Sequence, residues 1–390
     1  MNPRNGLDKA RLWWSDAHPM NILQVIPQLD AGGAERTTIE VAHAVVGAGG
    51  RCLVASCGGR LEAELDAAGA ELVRLDMKTK NPLAIWRNAA RVAAVIRAEG
   101  VDLVHARSRA PAWSAKWAAR RTGKPFVTTY HGTYNARSAL KRWYNSVMAS
   151  GDRVIANSAF IADHVRAEHG VGEERLRVIP RGVDMDRFDP AKVGADQIAA
   201  LRAAWGVQPG ERVILLPGRL TEWKGQAFFI EVLDGLDATG VRLVCLGDAQ
   251  GRAAYEQALR VGAKGSGIAL SLPGHEADMP AAYAAADLVV CPSLEPEAFG
   301  RTAAEALAMG ARVIAAAHGG AVEVIDPHVA GRLAKPGDHA DWRDAVTSAM
   351  SEDPSIAAAR AEAGRLRITE RFSAAALQEA TLQVYRELLE

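Results

Sequence analysis

The sequence predicts an α/β protein with two doubly wound parallel sheets that face each other across a cleft. Three observations support this prediction. Short apolar runs alternate with amphipathic helical patterns along most of the chain. A segment rich in Pro, Gly and Asp interrupts that alternation at residues 178–190. The chain has 390 residues, which is more than one ordinary core accommodates. Alternating β and α units form parallel sheets covered on both faces, so we expect two Rossmann-like domains.

The first domain is predicted to span residues 20–187. Its strand candidates are the apolar runs at 22–27, 52–56, 72–75, 103–106, 126–130 and 153–158. Helical patterns lie between them, for example at 34–48, 82–99 and 111–121. Residues 1–19 contain scattered charges without the apolar centre of a signal peptide, so we expect them to be a disordered extension.

The second domain is predicted to span residues 188–370. Its strand candidates are the runs at 213–219, 241–247, 268–274, 287–293 and 312–317. A long helical region follows at about 340–390, and its last part, 371–390, is predicted to be a separate C-terminal helix. Ligands of such sheets bind at the carboxyl ends of the strands, so the loops after these runs are the candidate site.

Composition excludes several classes of protein. The formal net charge is zero, which does not favour nucleic-acid binding. The four cysteines have no CxxC spacing and lie in strand-like runs, so we interpret them as buried thiols of a reducing compartment. No apolar run reaches 18 residues, and we therefore predict no transmembrane helix and a cytoplasmic protein.

Two glutamates flank a predicted helix start in the second domain. Glu297 follows the strand candidate 287–293, and Glu305 lies inside the helical run that begins near Thr302. The free N–H groups at the start of that helix favour phosphate, and the two carboxylates could each bind a sugar. Taken alone, such a pair could equally be two solvated carboxylates.

The run from Glu297 to Glu305 resembles the signature of the retaining two-domain (GT-B) glycosyltransferases of family 4, the glycosyl transferases group 1. The resemblance covers roughly residues 20–375. It implies that Glu297 contacts the transferred sugar and that Glu305 contacts the ribose of a nucleotide donor. It also implies that residues 371–390 pack back on the first domain.

A second motif, Arg219 to Gly225, follows the first strand of the second domain. Its cations Arg219 and Lys224 could converge on one anion, although a turn with solvated charges has the same appearance. The motif matches the Arg-to-Lys diphosphate clamp of the family. The resemblance therefore implies a donor diphosphate held by these two cations and by the helix start, whose residues are Phe299, Gly300, Arg301 and Thr302.

The first domain contains two further matches. Gly32 and Gly33 open the first helix and resemble the glycine loop that faces the donor phosphates. His131 follows the strand 126–130 and matches the histidine of the family that lies beside the donor sugar. Glu297 and His131 are thus the candidate catalytic residues. In the second domain, His318, Gly319, Gly320 and Glu323 resemble an element that supports the helix bearing Glu305.

Two residues depart from the family pattern. Arg181 stands in the linker where Asn is common, so it adds a cation near the cleft. Ala311 replaces a frequent proline. The sequence Asp184-Met185-Asp186 has the form of a metal-binding D-x-D, but aspartate serves turns in such linkers, and we predict no metal site and no cofactor.

Residues 103–151 contain nine Lys and Arg residues and no Asp or Glu. Trp113, Lys116, Trp117 and Arg120 have the spacing of one helix face, and Lys141 and Arg142 follow. Such a face suits an anionic membrane surface. Alternatively, the tryptophans pack on the sheet while the cations extend into water.

These observations predict a retaining glycosyltransferase that moves a hexose-type sugar from a nucleotide-diphosphate donor to an acceptor hydroxyl. The acceptor is expected to be lipid-linked or a saccharide of the cell envelope, and the enzyme to be peripheral on the inner membrane face. One alternative is a sugar-nucleotide epimerase on the same two-domain plan. The other is a non-catalytic homologue that acts as a partner protein. The base, the sugar and the acceptor are not specified by these motifs.

Overall fold

The computed structural model describes residues 19–30, 32–134 and 138–390 of the chain. All but the last residue of the predicted extension 1–19 lies outside the described residues. The described chain forms two separate parallel sheets, which confirms the predicted fold class. The limits that we assigned to the domains stay a prediction.

The first sheet has seven parallel strands in the order β3-β2-β1-β4-β5-β6-β7. The strands are β1 (Asn21–Val25), β2 (Arg51–Ser56), β3 (Glu71–Arg74), β4 (Leu103–Ala106), β5 (Phe126–Tyr130), β6 (Arg153–Ala156) and β7 (Leu176–Val178). β7 was not predicted. It is a three-residue strand at the edge of the sheet, and its last residue is exposed, so it lacks the continuous apolar run of a buried strand.

Helices cover both faces of this sheet. They are α1 (Gly33–Gly47), α2 (Glu62–Ala67), α3 (Pro82–Ala98), α4 (Arg109–Thr122), α5 (Ala139–Asn145) and α6 (Ala159–His169), with a 3₁₀ turn at Ser146–Ala149. Asn81 caps α3 by accepting hydrogen bonds from two backbone N–H groups of its first turn. Ser158 caps α6 in the same way. A polar side chain therefore begins each of these two helices.

The second sheet has six parallel strands in the order β10-β9-β8-β11-β12-β13. They are β8 (Arg212–Pro217), β9 (Val241–Leu246), β10 (Ala269–Gly274), β11 (Leu288–Cys291), β12 (Val313–Ala316) and β13 (Arg332–Ala334). β13 was also missed, because it is a short, half-exposed edge strand without an apolar run.

The helices of the second domain are α7 (Ala195–Ala204), α8 (Gln226–Asp234), α9 (Ala253–Gly265), α10 (Met279–Ala284), α11 (Arg301–Ala308), α12 (Ala321–Val324), α13 (His339–Met350) and α14 (Pro354–Arg371). Short 3₁₀ turns lie at Pro190–Lys192 and Glu222–Lys224. A final helix, α15 (Ala374–Leu389), ends the chain. The predicted helical region 340–390 is thus three helices.

The chain passes between the domains at two segments that contact each other. Val183 donates its N–H to the carbonyl of Phe372, and Ala374 donates to the carbonyl of Val183. The close approach requires Gly182, because a Cβ there would lie 2.4 Å from the Cα of Ala374. These two adjacent crossings connect the two domains.

α15 belongs structurally to the first domain. It packs on α1, and its Leu377, Leu382 and Tyr385 join the apolar core below β1 and β2. The Tyr385 hydroxyl lies 2.6 Å from Nδ1 of the buried His105 in β4. The C-terminal helix therefore crosses back and completes the first domain.

Candidate functional site

A cation and a carboxylate form the centre of the second-domain site. The Nζ of Lys224 lies 2.8 Å from Oε1 of Glu297, and both side chains are largely buried, with exposures of 13% and 17%. Ser293 donates a 2.5 Å hydrogen bond to the same oxygen. Burial raises the pKa of Glu297, but the charge of Lys224 and these hydrogen bonds outweigh it and hold the pKa below its usual range. Glu297 is therefore ionised.

Glycines allow the loops of this centre to approach one another. Gly225, at φ +78°, ends the turn that carries Lys224, and a Cβ there would lie 2.1 Å from the carbonyl oxygen of Pro292. A Cβ on Gly319 would lie 2.4 Å from the carbonyl oxygen of Glu297. His318 contacts the carbonyl of Ser293 at 2.9 Å. His318 and Gly319, two of the four predicted supporting residues, thus hold the loop of Glu297 in place.

α11 begins directly beside this carboxylate. Gly300 caps the helix at φ +90°, and the first helical hydrogen bond runs from the N–H of Ala304 to its carbonyl. The N–H groups of Arg301, Thr302 and Ala303 therefore have no acceptor within the helix. Gly300, Thr302 and Glu297 line one small pocket. This arrangement suits a phosphate.

Glu305 is buried, with 8% of its surface exposed. One of its oxygens accepts a 3.0 Å hydrogen bond from the Tyr283 hydroxyl, and the other lies 2.6 Å from Nε of Arg301. Burial lowers the pKa of Arg301, but the charge of Glu305 outweighs this effect and raises it. A ribose that contacts Glu305 must share this carboxylate with Tyr283 and Arg301.

Two predicted donor-binding residues, Arg219 and Phe299, do not take part in the contacts around Glu297 and Glu305 described above. Arg219 is exposed, and its guanidinium makes no ion pair with a residue of the described ranges. Phe299 is buried and packs on Phe372, with ring centroids 5.7 Å apart. Its side chain is part of the core, so Phe299 can meet a donor only through its backbone.

The first-domain residues lie at the carboxyl edge of the first sheet. Gly32 caps α1, and Gly33 is its first residue. A Cβ on Gly33 would lie 1.7 Å from Nη1 of Arg181, so the guanidinium rests directly on this glycine. His131 follows β5 and lines one small cavity with Arg181, Arg107 and Asn157. Burial, together with the charges of Arg181 and Arg107, holds the pKa of His131 well below its usual value, and the ring is neutral.

Glu323 has a different role from the one we predicted. Its carboxylate accepts hydrogen bonds from the N–H groups of Ala159 and Phe160, at 2.8 and 2.9 Å. These are the first residues of α6, so a second-domain carboxylate caps a first-domain helix. Glu323 links the two domains instead of supporting α11.

The linker aspartates form a turn, as predicted. Asp184 accepts hydrogen bonds from the N–H groups of Asp186 and Arg187. A cavity of about 790 Å³ lies beside this turn, between α1 and the linker, and Arg301 lines it. Within the described ranges there is no group of three or more His, Cys, Asp or Glu residues arranged to hold a metal ion.

Of the two interpretations of the face with Trp113, membrane contact is wrong for Trp113, which instead follows the alternative of a packed tryptophan. Trp113 is only 8% exposed and donates its indole N–H to the carbonyl of Tyr144, because α5 covers it. It belongs to the core, and Trp117 is half-buried beside it. The cations Lys116, Arg120, Lys141 and Arg142 retain exposed surface. None of the helices in the described part of the chain is long and apolar enough to cross a membrane.

Several contributing residues were not predicted as part of the site. Ser293 and Tyr283 hold the two glutamates, and Arg107 and Asn157 line the cavity of His131. Ser293 could have been predicted from the sequence, since it ends the apolar run 287–293, four positions before Glu297. Tyr283 lies inside α10, where the sequence shows only its burial. Arg107 and Asn157 directly follow β4 and β6, so they too could have been predicted from their positions after a strand.

Comparison with known proteins places both domains in known families. A family model described as Glycosyltransferase Family 4 matches residues 31–187, and one described as Glycosyl transferases group 1 matches residues 197–367. A curated relative from Xylanimonas cellulosilytica, named D-inositol 3-phosphate glycosyltransferase, is 31% identical over 75% of this chain and 73% of its own length. A relative of the same name from Segniliparus rotundus is matched over 54% of its length.

Solved structures agree with these matches. A glycosyltransferase from Rickettsia africae has a TM-score of 0.89 and 33% identity, covering 96% of this chain and all of that chain. The protein HepE from Anabaena, solved in complex with UDP-glucose, has a TM-score of 0.81 and 26% identity, covering 95% of this chain and 100% of its own.

Proposed function

This chain belongs to the two-domain glycosyltransferases of family 4 and group 1, and from that premise we propose that it transfers a hexose-type sugar with retention from a nucleotide-diphosphate donor to an acceptor hydroxyl. The observation that carries the proposal is the pair of Lys224 and Glu297 beside the start of α11. A cation, an ionised carboxylate and free backbone N–H groups meet there at the carboxyl edge of the second sheet.

Each group has a distinct task in this proposal. Lys224, Arg219 and the N–H groups at the start of α11 bind the diphosphate and stabilise the charge that develops as it leaves. Glu297 accepts hydrogen bonds from the hydroxyls of the sugar and orients it. Glu305 receives the ribose. His131, being neutral, donates a hydrogen bond beside the reacting carbon without repelling the cations around it.

In the transfer step, the bond between the anomeric carbon and the leaving phosphate oxygen breaks. The acceptor oxygen forms its bond to the same face of that carbon, and its proton passes to the leaving phosphate. No side-chain base is required, because the phosphate oxygen takes that proton. Closure of the domains excludes water, which would otherwise be glycosylated in place of the acceptor. Since Lys224 and Arg219 supply positive charge, we propose that the reaction needs no metal.

The donor class can be tested by thermal shift with UDP-, GDP- and ADP-sugars and the matching diphosphates. We expect one base to raise the midpoint, because a ligand that binds only the folded state stabilises it by RT ln(1 + [L]/Kd), about 2.7 kcal/mol at a hundredfold excess over Kd. UDP-glucose is the first donor to test, since HepE was solved with it. Absence of a shift with every nucleotide, with or without EDTA, would contradict the proposal.

Product analysis separates the proposal from its two alternatives. A transferase creates a new glycosidic bond, an epimerase releases an altered free sugar, and a non-catalytic partner consumes no donor. The relatives named for D-inositol 3-phosphate suggest a phosphorylated polyol as one acceptor to test beside saccharides and lipid-linked acceptors of the cell envelope.

We also propose that the first domain docks on an anionic membrane, with a corrected set of residues. The docking surface consists of exposed apolar side chains on α3 and α5 with cations around them: Leu83, Trp86, Leu140, Trp143, Lys116, Arg120, Arg121, Lys141 and Arg142. Leu140 is 72% exposed and Trp143 58% exposed. Arg121 lies over the Trp86 ring, and Trp143 packs on Trp113, so α4 joins the two parts. Exposed tryptophan among cations suits the headgroup region of such a membrane.

Flotation with vesicles of anionic or neutral lipid tests this docking surface. We expect binding to anionic vesicles only, reduced about tenfold or more when Leu140 and Trp143 are both changed to Ser, because their apolar area no longer enters the bilayer. Leu366→Ser is the matched control, since Leu366 is an exposed apolar residue of the second domain. Equal binding of all three proteins would refute the docking surface.

A further inference from the structure

The carboxyl edge of the first sheet carries several buried polar atoms without hydrogen-bond partners. They are Gln28 Oε1, both ring nitrogens of His131, Asn157 Oδ1 and Arg181 Nε, none of which is paired within the described ranges. These residues follow β1, β5, β6 and β7 respectively. Buried polar groups are normally hydrogen-bonded, so this concentration points to an absent ligand. In parallel sheets, this is also the edge at which ligands bind.

Arg181 is the charged member of this group. Burial, followed by the nearby charge of Arg301, lowers its pKa to about 10. Glu40 and Glu35 compensate in part, but no carboxylate of the described residues lies within ion-pair distance of the guanidinium. An arginine held in this way, against the bare backbone of Gly33, would be stabilised by a bound anion.

The hydrogen-bond donors around Arg181 indicate which class of anion the site would bind. The N–H groups of Gly33, Ala34 and Glu35 have no acceptor within α1, whose first helical bond runs from Arg36 to Gly32. Together with the fork of the guanidinium and the neutral ring of His131, they present several donors on one side of the cleft. A planar guanidinium beside a helix start matches the oxygens of a phosphate.

We propose that Arg181 binds a phosphate oxyanion from the first-domain side of the cleft, opposite Lys224 and the start of α11. This inference rests on the proposed glycosyl transfer and adds a binding residue to it. The oxyanion comes either from the diphosphate of the donor or from a phosphate carried by the acceptor.

The position of Arg181 also couples this charge to domain closure. Arg181 belongs to the first domain, whereas Lys224 and Arg301 belong to the second. A phosphate held from both sides links the domains, as the contact between Glu323 and α6 already does. The additional positive charge therefore acts on the phosphate when the cleft is closed, which is when the transfer takes place.

Binding measurements on Arg181→Gln and Arg181→Lys test the proposal. The probes are UDP, GDP and ADP, the matching nucleosides, and inorganic phosphate added to protein saturated with nucleotide. Arg175→Gln is the matched control, because Arg175 lies at the opposite, amino end of β7. Without ligand, Arg181→Gln is expected to melt no lower than the wild type, since it removes a half-buried cation that makes no ion pair with any residue the structure describes.

If the diphosphate is the source, Arg181→Gln weakens nucleoside diphosphate binding about 10- to 100-fold, the range of one charge-assisted hydrogen-bond pair, and leaves nucleoside binding unchanged. If the acceptor is the source, diphosphate binding is unchanged, but the stabilisation by inorganic phosphate is lost. Arg181→Lys should retain part of either effect. Equal behaviour of Arg181→Gln and wild type with all probes overturns the proposal. A wild type that binds phosphate through Arg181 but no nucleotide refutes the transferase assignment alone.

Discussion

Lys224→Ala is expected to lower donor turnover by about 10²- to 10³-fold, because it removes a preorganised cation from the leaving diphosphate. The loss should appear mainly in kcat, since the charge on the diphosphate grows as the sugar bond breaks. The variant also leaves Glu297 buried without its counter-charge, so the pKa of that carboxyl rises. Single-turnover assays with the donor identified by thermal shift measure the effect.

Two further variants separate catalysis from folding in this experiment. Lys224→Arg retains the charge and should recover part of the activity. The double variant Lys224→Ala with Glu297→Gln removes the unpaired buried charge, so it should melt higher than Lys224→Ala but remain inactive. Turnover of Lys224→Ala within twofold of the wild type would show that the diphosphate is bound elsewhere.

Removal of α15, residues 374–390, is expected to unfold the first domain. The helix contributes Leu377, Leu382, Val384 and Tyr385 to the core below β1 and β2. Loss of one large buried side chain costs about 2–5 kcal/mol, and a domain has only about 5–15 kcal/mol of stability in total. Removal also leaves His105 without its hydrogen bond to Tyr385. Thermal melts and limited proteolysis of the shortened chain measure this loss.

A single substitution in α15 tests the same contribution to stability with a smaller expected loss. Leu382→Ala, at a buried position, should reduce the free energy of unfolding by about 2–5 kcal/mol. Leu389→Ala, at the exposed end of the same helix, should change it by less than about 0.5 kcal/mol. A shortened chain with the cooperative melt and protease resistance of the full chain would show that α15 is dispensable.

Local sequence patterns were sufficient to predict the fold class and most of the strands of this protein. The alternation of apolar runs and helical segments predicted two parallel sheets, and both are present. The strands that escaped prediction, β7 and β13, are short edge strands that carry little buried apolar surface. Lys224 and Glu297 were assigned to one site although they are 73 positions apart. The resemblance to the family implied that assignment. It agrees with the fold, since each residue follows a strand of one parallel sheet, and such sheets bring their carboxyl ends together.

Other assignments depended on contacts between distant segments. Helical spacing placed Trp113 on one face with Lys116 and Arg120, but α5 covers that part of α4 and buries the indole. The partners of Glu323 lie 163 and 164 positions away, on a helix of the other domain. The spacing of residues along one helix contains no information about which other segment covers it.

The sequence by itself determined the fold class, the family and the chemical character of the cleft, because these follow from periodicity, glycine positions and short motifs. Only the tertiary structure decided which charged groups are paired and which are left without a partner. Glu305 is engaged by Tyr283 and Arg301, whereas Arg181 makes no ion pair with a carboxylate of the described residues. The physical reason is that burial and pairing depend on distances between segments, and those distances exist only once both domains and α15 have packed together.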